Sequence, residues 1–521
     1  MSEKKQITRA TGVMGLATSM SRVAGLIRDM VVAGMFGAGF ATDAFFMAFT
    51  IPNLLRRFFA EGSLTAAFVP TFADVQHRQG EEEAARVANI CWTLLFLVLG
   101  AVVVVGVLCS PLIVRAIGFG FGAVEGKLAL TDLLNRVMFP YIFFVSLLAL
   151  LTGVLNVKGH YFYPAVSPLL LNLAMIFCAI FLRDYFEVPI MALAVGVLVG
   201  GVVQLVMQYP VLRRMGVHLR ADFHFRHPAV VRVSRLMLPG LAGVAIYQVN
   251  AVVTKLLASF LPEGSVSYLY YSQRLFEFPQ GIFIVALAQA VLPSMSRQAS
   301  LGDHEGLKDS FRFALSIIIL ITLPAAVGLV FCAVPVYSLF FMKGAFGYEE
   351  VRQTALALAA YAPGLLFLGV SRVVVPAFYA LKDTRSPVLI SFFTFLVNAG
   401  LGLALMGPLQ HVGLALALTL SSLFNAVALL VALRRKLGLL GLRAVYLTLL
   451  KILLPTAAMG LVVWFTLSFG PWAEAGRGAF KAALLAAGIG AGALVYWGGC
   501  LLMRVGEAQE VFSMLRRKVA R

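Results

Sequence analysis

Residues 87–115 read VANICWTLLFLVLGAVVVVGVLCSPLIVR, with no charged side chain before Arg115. A helix crosses the hydrocarbon core of a bilayer with about 20 apolar residues, so this stretch is predicted to span. Working outward, comparable stretches precede and follow it at about 11–37, 42–75, 130–156, 162–182 and 188–212. More lie at about 232–261, 265–298, 311–341, 351–380, 386–406, 411–433, 444–470 and 478–503. The predicted fold class is therefore all-α, a polytopic membrane protein of about 14 transmembrane helices. Composition agrees, since the 521 residues are 60% hydrophobic and 13% charged, with a mean hydropathy of +0.91. A soluble domain carries about 25% charged residues, which excludes large soluble domains here.

The N-terminus opens like a signal peptide, with Lys4, Lys5 and Arg9 ahead of an apolar stretch. Arg22, Arg28 and Asp29 interrupt that stretch as no signal h-region allows, so it is predicted as a retained first span. Lys and Arg number 42 against 24 Asp and Glu, a formal charge of +18. Alternating the connections between two sides sends most of this excess one way, including Arg78, Arg86, Lys158, Arg213, Arg214, Lys382, Arg385, Arg434, Arg435 and Lys436. The other side receives Arg115, Lys127, Arg183, Lys343, Arg352, Arg477 and Lys481. By the positive-inside rule both termini are predicted to be cytoplasmic. The charge is then a topology signal, and no nucleic-acid partner is predicted.

Five cysteines (Cys91, Cys109, Cys178, Cys332, Cys500) sit singly in apolar runs and read as small buried hydrophobes. The polar segment 215–228, MGVHLRADFHFRHP, reads as an interfacial linker; its His218, His224 and His227 lack zinc-site spacing. No P-loop occurs, and no cofactor or metal site is predicted.

Prolines repeat between the halves: Pro70 and Pro293, Pro140 and Pro363, and Pro164 and Pro387 are each 223 positions apart, and Pro111 and Pro335 miss that offset by one. Six spans per copy means that both copies enter from the same side. Parallel halves are a transporter arrangement. The predicted organisation is an N-lobe over 1–214, a linker over 215–228, a C-lobe over 229–436, and two further spans with a basic tail over 437–521. Alternating access by rocking of the two six-helix lobes follows as an expectation.

Ionisable side chains inside a bilayer cost roughly 2.5–3.5 kcal/mol or more unless they face water or a partner. Arg22 falls about eleven residues into the first predicted span, or about 17 Å deep. Arg22 and Asp29 share a helix face, and Arg28 is turned from it by about 120°. Asp43, Arg56, Arg57 and Glu61 follow in the second span, where Arg57 and Glu61 can pair at i,i+4. Arg274 lies about 15 Å into the eighth span, one turn from Glu277. Two readings compete: a solvated anion-binding cavity, or internal ion pairs. The cavity reading favours phosphate, because the planar guanidinium grips two oxygens at once. Lys255, near a span end, is expected to snorkel.

SRVAGLIRDMVVAGMFGAGFATDAFFMAFTIPNLLRRFFAEGSLTAAFVP (21–70) together with GSVSYLYYSQRLFEFPQGIF (264–283) resembles the MurJ (MviN) family of lipid II flippases. The resemblance implies the fold of the multidrug/oligosaccharidyl-lipid/polysaccharide exporter superfamily, with the last two spans helping to hold a polyprenyl tail. It implies substrate-binding roles for Arg22, Arg28, Arg56 and Arg274, supported by Ser21, Asp29, Asp43, Arg57, Glu61 and Glu277. The implied cargo is lipid II, moved from the cytoplasmic to the periplasmic leaflet of the bacterial inner membrane, with bilayer lipids and cell-wall synthesis and division proteins as further partners. No Asp or Glu occurs between Arg385 and Arg435, so an acidic sodium site in the second lobe is not expected. The alternatives are an exporter of another polyprenyl-linked oligosaccharide or of a drug, a membrane enzyme, and a scaffold. Drug extruders favour acidic cation sites, whereas this chain is arginine-rich; the loops lack the acid and metal-ligand constellation that an enzyme needs.

Overall fold

A computed structural model describes residues 3–58 and 64–519, with side chains described at 15–57, 64–237, 248–510 and 512–513. Nearly all of it is helix, with no strand among the described residues. The first of two compact units, Met1–Gly264, holds α1 (Glu3–Phe36), α2 (Phe40–Phe58), α3 (Leu64–Gln79), α4 (Glu81–Leu108), α5 (Ser110–Ile117), α6 (Lys127–Met138), α7 (Tyr141–Val157), α8 (Phe162–Leu182), α9 (Met191–Arg214) and α10 (Pro228–Ala258). The second, Ser265–Arg521, holds α11 (Ser265–Pro279), α12 (Val285–Ser300), α13 (His304–Phe340), α14 (Tyr348–Tyr361), α15 (Gly364–Ala380), α16 (Arg385–Leu437), α17 (Arg443–Ser468), α18 (Gly478–Leu502) and α19 (Gly506–Val519).

Ten helical stretches among the described residues have the length and apolarity to cross a membrane. One is the 53-residue α16, which contains both predicted segments 386–406 and 411–433. Gln410, at φ 51° and ψ −133°, breaks it between them.

The proline repeat has structural counterparts within each unit. Pro140 stands at the N-cap of α7 and Pro363 at the N-cap of α15, both with φ −61°. A proline offers no N–H to the preceding turn, so α6 and α7, like α14 and α15, are separate helices along one apolar stretch. Pro164 and Pro387 both sit in the first turn of their helices, α8 and α16, where the missing N–H leaves no bond unmade.

Glycines let several helices pack closely. Gly196 and Gly200, four apart on α9, face α8: a Cβ at Gly196 would lie 2.9 Å from the Met175 Cα, and one at Gly200 would lie 2.7 Å from Leu171 Cδ1. On α18, Gly492 stands likewise against Val463 of α17, at 2.5 Å. Small residues at such spacing let membrane helices approach closely enough for dispersion to hold them.

In the first unit, α3, α4 and α7 share a core built on Phe68, Phe72, Leu150 and Val154. The linker 215–228 partly covers this core with Met215, Leu219 and Phe225, while α10 packs on α2, α3 and α5. In the second unit, α19 occupies part of what the sequence suggested as a basic tail. Ala508 is buried and Glu507 accepts from Thr448 at 2.9 Å. The spacing of Ala508, Val511, Phe512 and Leu515 carries the helical period that marks it.

Candidate functional site

α1 starts at Glu3, eight residues ahead of the predicted span, and presents its three central charges differently. Arg22 is exposed. Arg28 and Asp29 are buried and paired: Arg28 Nη2 and Nε donate to Asp29 Oδ1 at 2.7 and 3.0 Å. The other arm, Nη1, donates to Asn172 Oδ1 on α8 at 3.0 Å, and Asn172 Nδ2 donates to the Ser21 carbonyl at 3.1 Å. Ser21 and Arg28 thus meet at one α8 side chain, with Asp29 joined to it through Arg28. Removing one partner of such a buried pair leaves an uncompensated charge, at a cost of about 3–5 kcal/mol.

At the start of α2, Asp43 Oδ2 accepts from Lys127 Nζ at 3.0 Å and from the Gly264 N–H at 2.8 Å. The Lys127 ammonium also lies 4.4 Å from the Phe121 ring centroid. Lys255 of α10 turns onto α2 instead of snorkelling, donating to Thr50 Oγ1 at 2.6 Å and to the Phe46 carbonyl at 3.3 Å. Arg56, in the last turn of α2, is half-buried and donates through Nε and Nη2 to Asn53 Oδ1 at 3.2 and 3.0 Å. Arg57 beside it is half-buried, and Glu61, its expected partner, lies outside the described residues.

In the second unit, Arg274 Nη2 donates to the Tyr270 hydroxyl at 3.0 Å, with the guanidinium carbon 5.0 Å from the centre of the Tyr270 ring. Its Nη1 reaches Glu277 Oε2 at 3.5 Å, and both of these side chains are more than a third exposed. Pro279 ends α11 here, and residues Gln280–Ile284 continue as a π-helical turn. Such turns absorb a displaced backbone register and recur at functional sites.

Charged groups away from the spans form structural clamps. Burial alone would raise the Asp222 carboxyl, but the His224 backbone N–H, the His224 ring and Arg86 hold it below the ordinary carboxylate range. His227 meets Glu83 in the first turn of α4 at 3.0 Å, while His224 faces Asp222 within the linker. Lys436 and Ser386 hold the Asp383 carboxyl well below its ordinary range.

The family model described as "Lipid II flippase MurJ" matches residues 32–475, most of the chain. The chain belongs to the MurJ family. Among curated MurJ relatives, it is 36% identical to a probable lipid II flippase MurJ of Vibrio cholerae over 82% of each chain. It is 35% identical to the Haemophilus influenzae counterpart over 88% of this chain and 92% of that one. A solved MurJ structure in an inward closed conformation matches with a TM-score of 0.76 at 26% identity, covering 98% of this chain and 99% of that one. An inward-facing multidrug MATE transporter of the MOP superfamily matches at 0.69 and 14% identity over 82% of this chain and 98% of that one, which shows likeness of fold. With its apolar helices, this MurJ-family chain is a multi-pass membrane protein and a transporter.

Three structural participants escaped the sequence reading. Asn172 was visible as the one amide side chain inside the apolar stretch 162–182. Tyr270 stands one turn before Arg274, a spacing that faces two side chains on a helix. Lys127 carried no local signal, because its partner Asp43 is 84 residues away.

Proposed function

We propose that the chain is a lipid II flippase, which carries the polyprenyl-diphosphate-linked cell-wall precursor from the cytoplasmic to the periplasmic leaflet of the bacterial inner membrane. The match to the lipid II flippase family over residues 32–475 carries this reading. Arginine chemistry supports it over drug export: Arg22, Arg56 and Arg274, exposed or half-buried, are assigned to the diphosphate and sugar-peptide head, and Arg28, sealed here against Asp29 and Asn172, stands with Ser21, Asp29, Asp43, Arg57, Glu61 and Glu277 in support. Guanidinium forks suit phosphate oxygens, and a cationic drug has no use for them.

On this reading the first repeat (1–214) and the second (229–436) alternate access, joined by the linker 215–228. Residues 437–521 offer apolar helix surface for the polyprenyl tail, since no charge occurs between Ile452 and Phe469 or between Ala482 and Met503. Both termini are assigned to the cytoplasm, as the positive-inside asymmetry requires. Cell-wall synthesis and division proteins are the natural partners of such a carrier. Purified protein in vesicles carrying lipid II in one leaflet should move it to the other, and Arg274→Ala should abolish transfer with normal incorporation. Full transfer by that variant removes Arg274 from the site.

A further inference from the structure

Two arginine ion pairs in this chain differ in kind. Arg28 and Asp29 are nearly sealed from solvent, with side-chain exposures of 8% and 4% and a contact of 2.7 Å. Arg274 and Glu277 are open, at 36% and 38%, and meet at 3.5 Å. A buried pair is costly to separate, whereas an open one contributes little and exchanges partners readily. Tyr270 grips Arg274 in another way: its hydroxyl accepts from Nη2 at 3.0 Å while its ring lies beneath the guanidinium, 5.0 Å from centroid to carbon.

We propose that Tyr270 and Glu277 divide the handling of Arg274, Tyr270 as a neutral positioning residue in both the empty and loaded states, and Glu277 as a displaceable counter-ion that yields to the cargo diphosphate and reclaims the arginine on release. The inference rests on the reading of Arg274 as a diphosphate contact. A phosphate oxygen arriving at Nη1 competes directly with the Glu277 carboxylate for the same N–H groups, and the two anions repel. The Tyr270 contact carries no net charge, so it can persist beside a bound anion and keep the guanidinium plane aimed. Their chain positions fit this division, with Tyr270 one turn before Arg274 and Glu277 one turn after it, so the two hold opposite arms of one fork.

The roles predict opposite signs. Removing a competitor tightens cargo binding and slows release, whereas removing a positioning contact weakens binding. In vesicles carrying graded amounts of lipid II, Glu277→Gln should lower the half-saturating level severalfold and also lower the maximal rate. Tyr270→Leu should raise the half-saturating level about tenfold, the loss expected for one stacked cation and one hydrogen bond together. Tyr270→Phe, which keeps the ring, should fall between Tyr270→Leu and the parent, and its incorporation controls for folding. If Glu277→Gln raises the half-saturating level, the glutamate only orients Arg274 and the counter-ion role is overturned. If Tyr270→Leu matches the parent, the positioning role is overturned. If Arg274→Ala itself binds and transports like the parent, the underlying assignment fails instead.

Discussion

Replacing Lys127 with methionine strips the buried Asp43 carboxylate of its cation while keeping most of the side-chain volume. The two side chains are 3% and 1% exposed and meet at 3.0 Å, so water cannot take the place of the lost ammonium. Breaking a buried pair from one side costs about 3–5 kcal/mol, and the lost contact with Phe121, 4.4 Å away, adds about 0.5–2 kcal/mol. The Gly264 N–H still donates to Asp43 at 2.8 Å, which keeps the total near the lower end, about 3 kcal/mol. Adding Asp43→Asn removes the stranded charge but keeps an acceptor for Gly264, so the double variant should recover roughly 2 kcal/mol of the loss. Denaturant titration of the four proteins in one detergent measures this coupling. A Lys127→Met loss under about 0.5 kcal/mol, or a double variant as unstable as the sum of the singles, refutes the argument. Transport by the double variant then separates the roles of Asp43: a structural role leaves flipping intact, and a cargo contact does not.

Gly196→Val should cost about 1–3 kcal/mol by overpacking, because its Cβ would press on the α8 backbone at Met175; Gly498→Ala, with open space around it, should show no such loss in the same unfolding assay. Asp383→Asn should destabilise at neutral pH, since Lys436 and Ser386 lower the Asp383 carboxyl in the folded chain. A depressed carboxyl stabilises above its unfolded value of about 3.9 and loses that stabilisation as pH falls through the folded one. The gap between variant and parent should therefore shrink progressively below about pH 4; a gap independent of pH would contradict the assignment. Asn172→Leu should lower stability by about 2–4 kcal/mol, because Arg28 Nη1 and the Ser21 carbonyl lose their shared partner together; an unchanged melting profile would mean that the bridge carries no weight.

Membrane helices were legible because a bilayer demands long apolar runs and leaves little else to decide. Even the break at Gln410 fell between two segments that polarity had already separated. Internal interruptions at Pro140 and Pro363 were visible as a repeat, although hydropathy alone reads each region as one continuous span. α19 was missed because its charge disguised an amphipathic period.

At the site, sequence depth identified which arginines need partners but could not say which partners they take. Arg28 meets Asn172 across 144 residues, a contact made by the packing of α1 on α8. Lys255 shows the same limit: nearness to a span end suggested snorkelling, yet Thr50 and Phe46 on α2 supply its acceptors. Arg56 and Arg274 were better served, since Asn53, Tyr270 and Glu277 lie within one helical turn of them.

The central claim, that this chain moves lipid II between leaflets, is tested most directly by the leaflet accessibility of lipid II in cells from which the protein is rapidly depleted. Externally reachable lipid II should fall within the depletion period while total lipid II is maintained or rises, and re-expression of the parent chain should restore it where Arg274→Ala does not. Undiminished external lipid II after complete depletion would contradict the account.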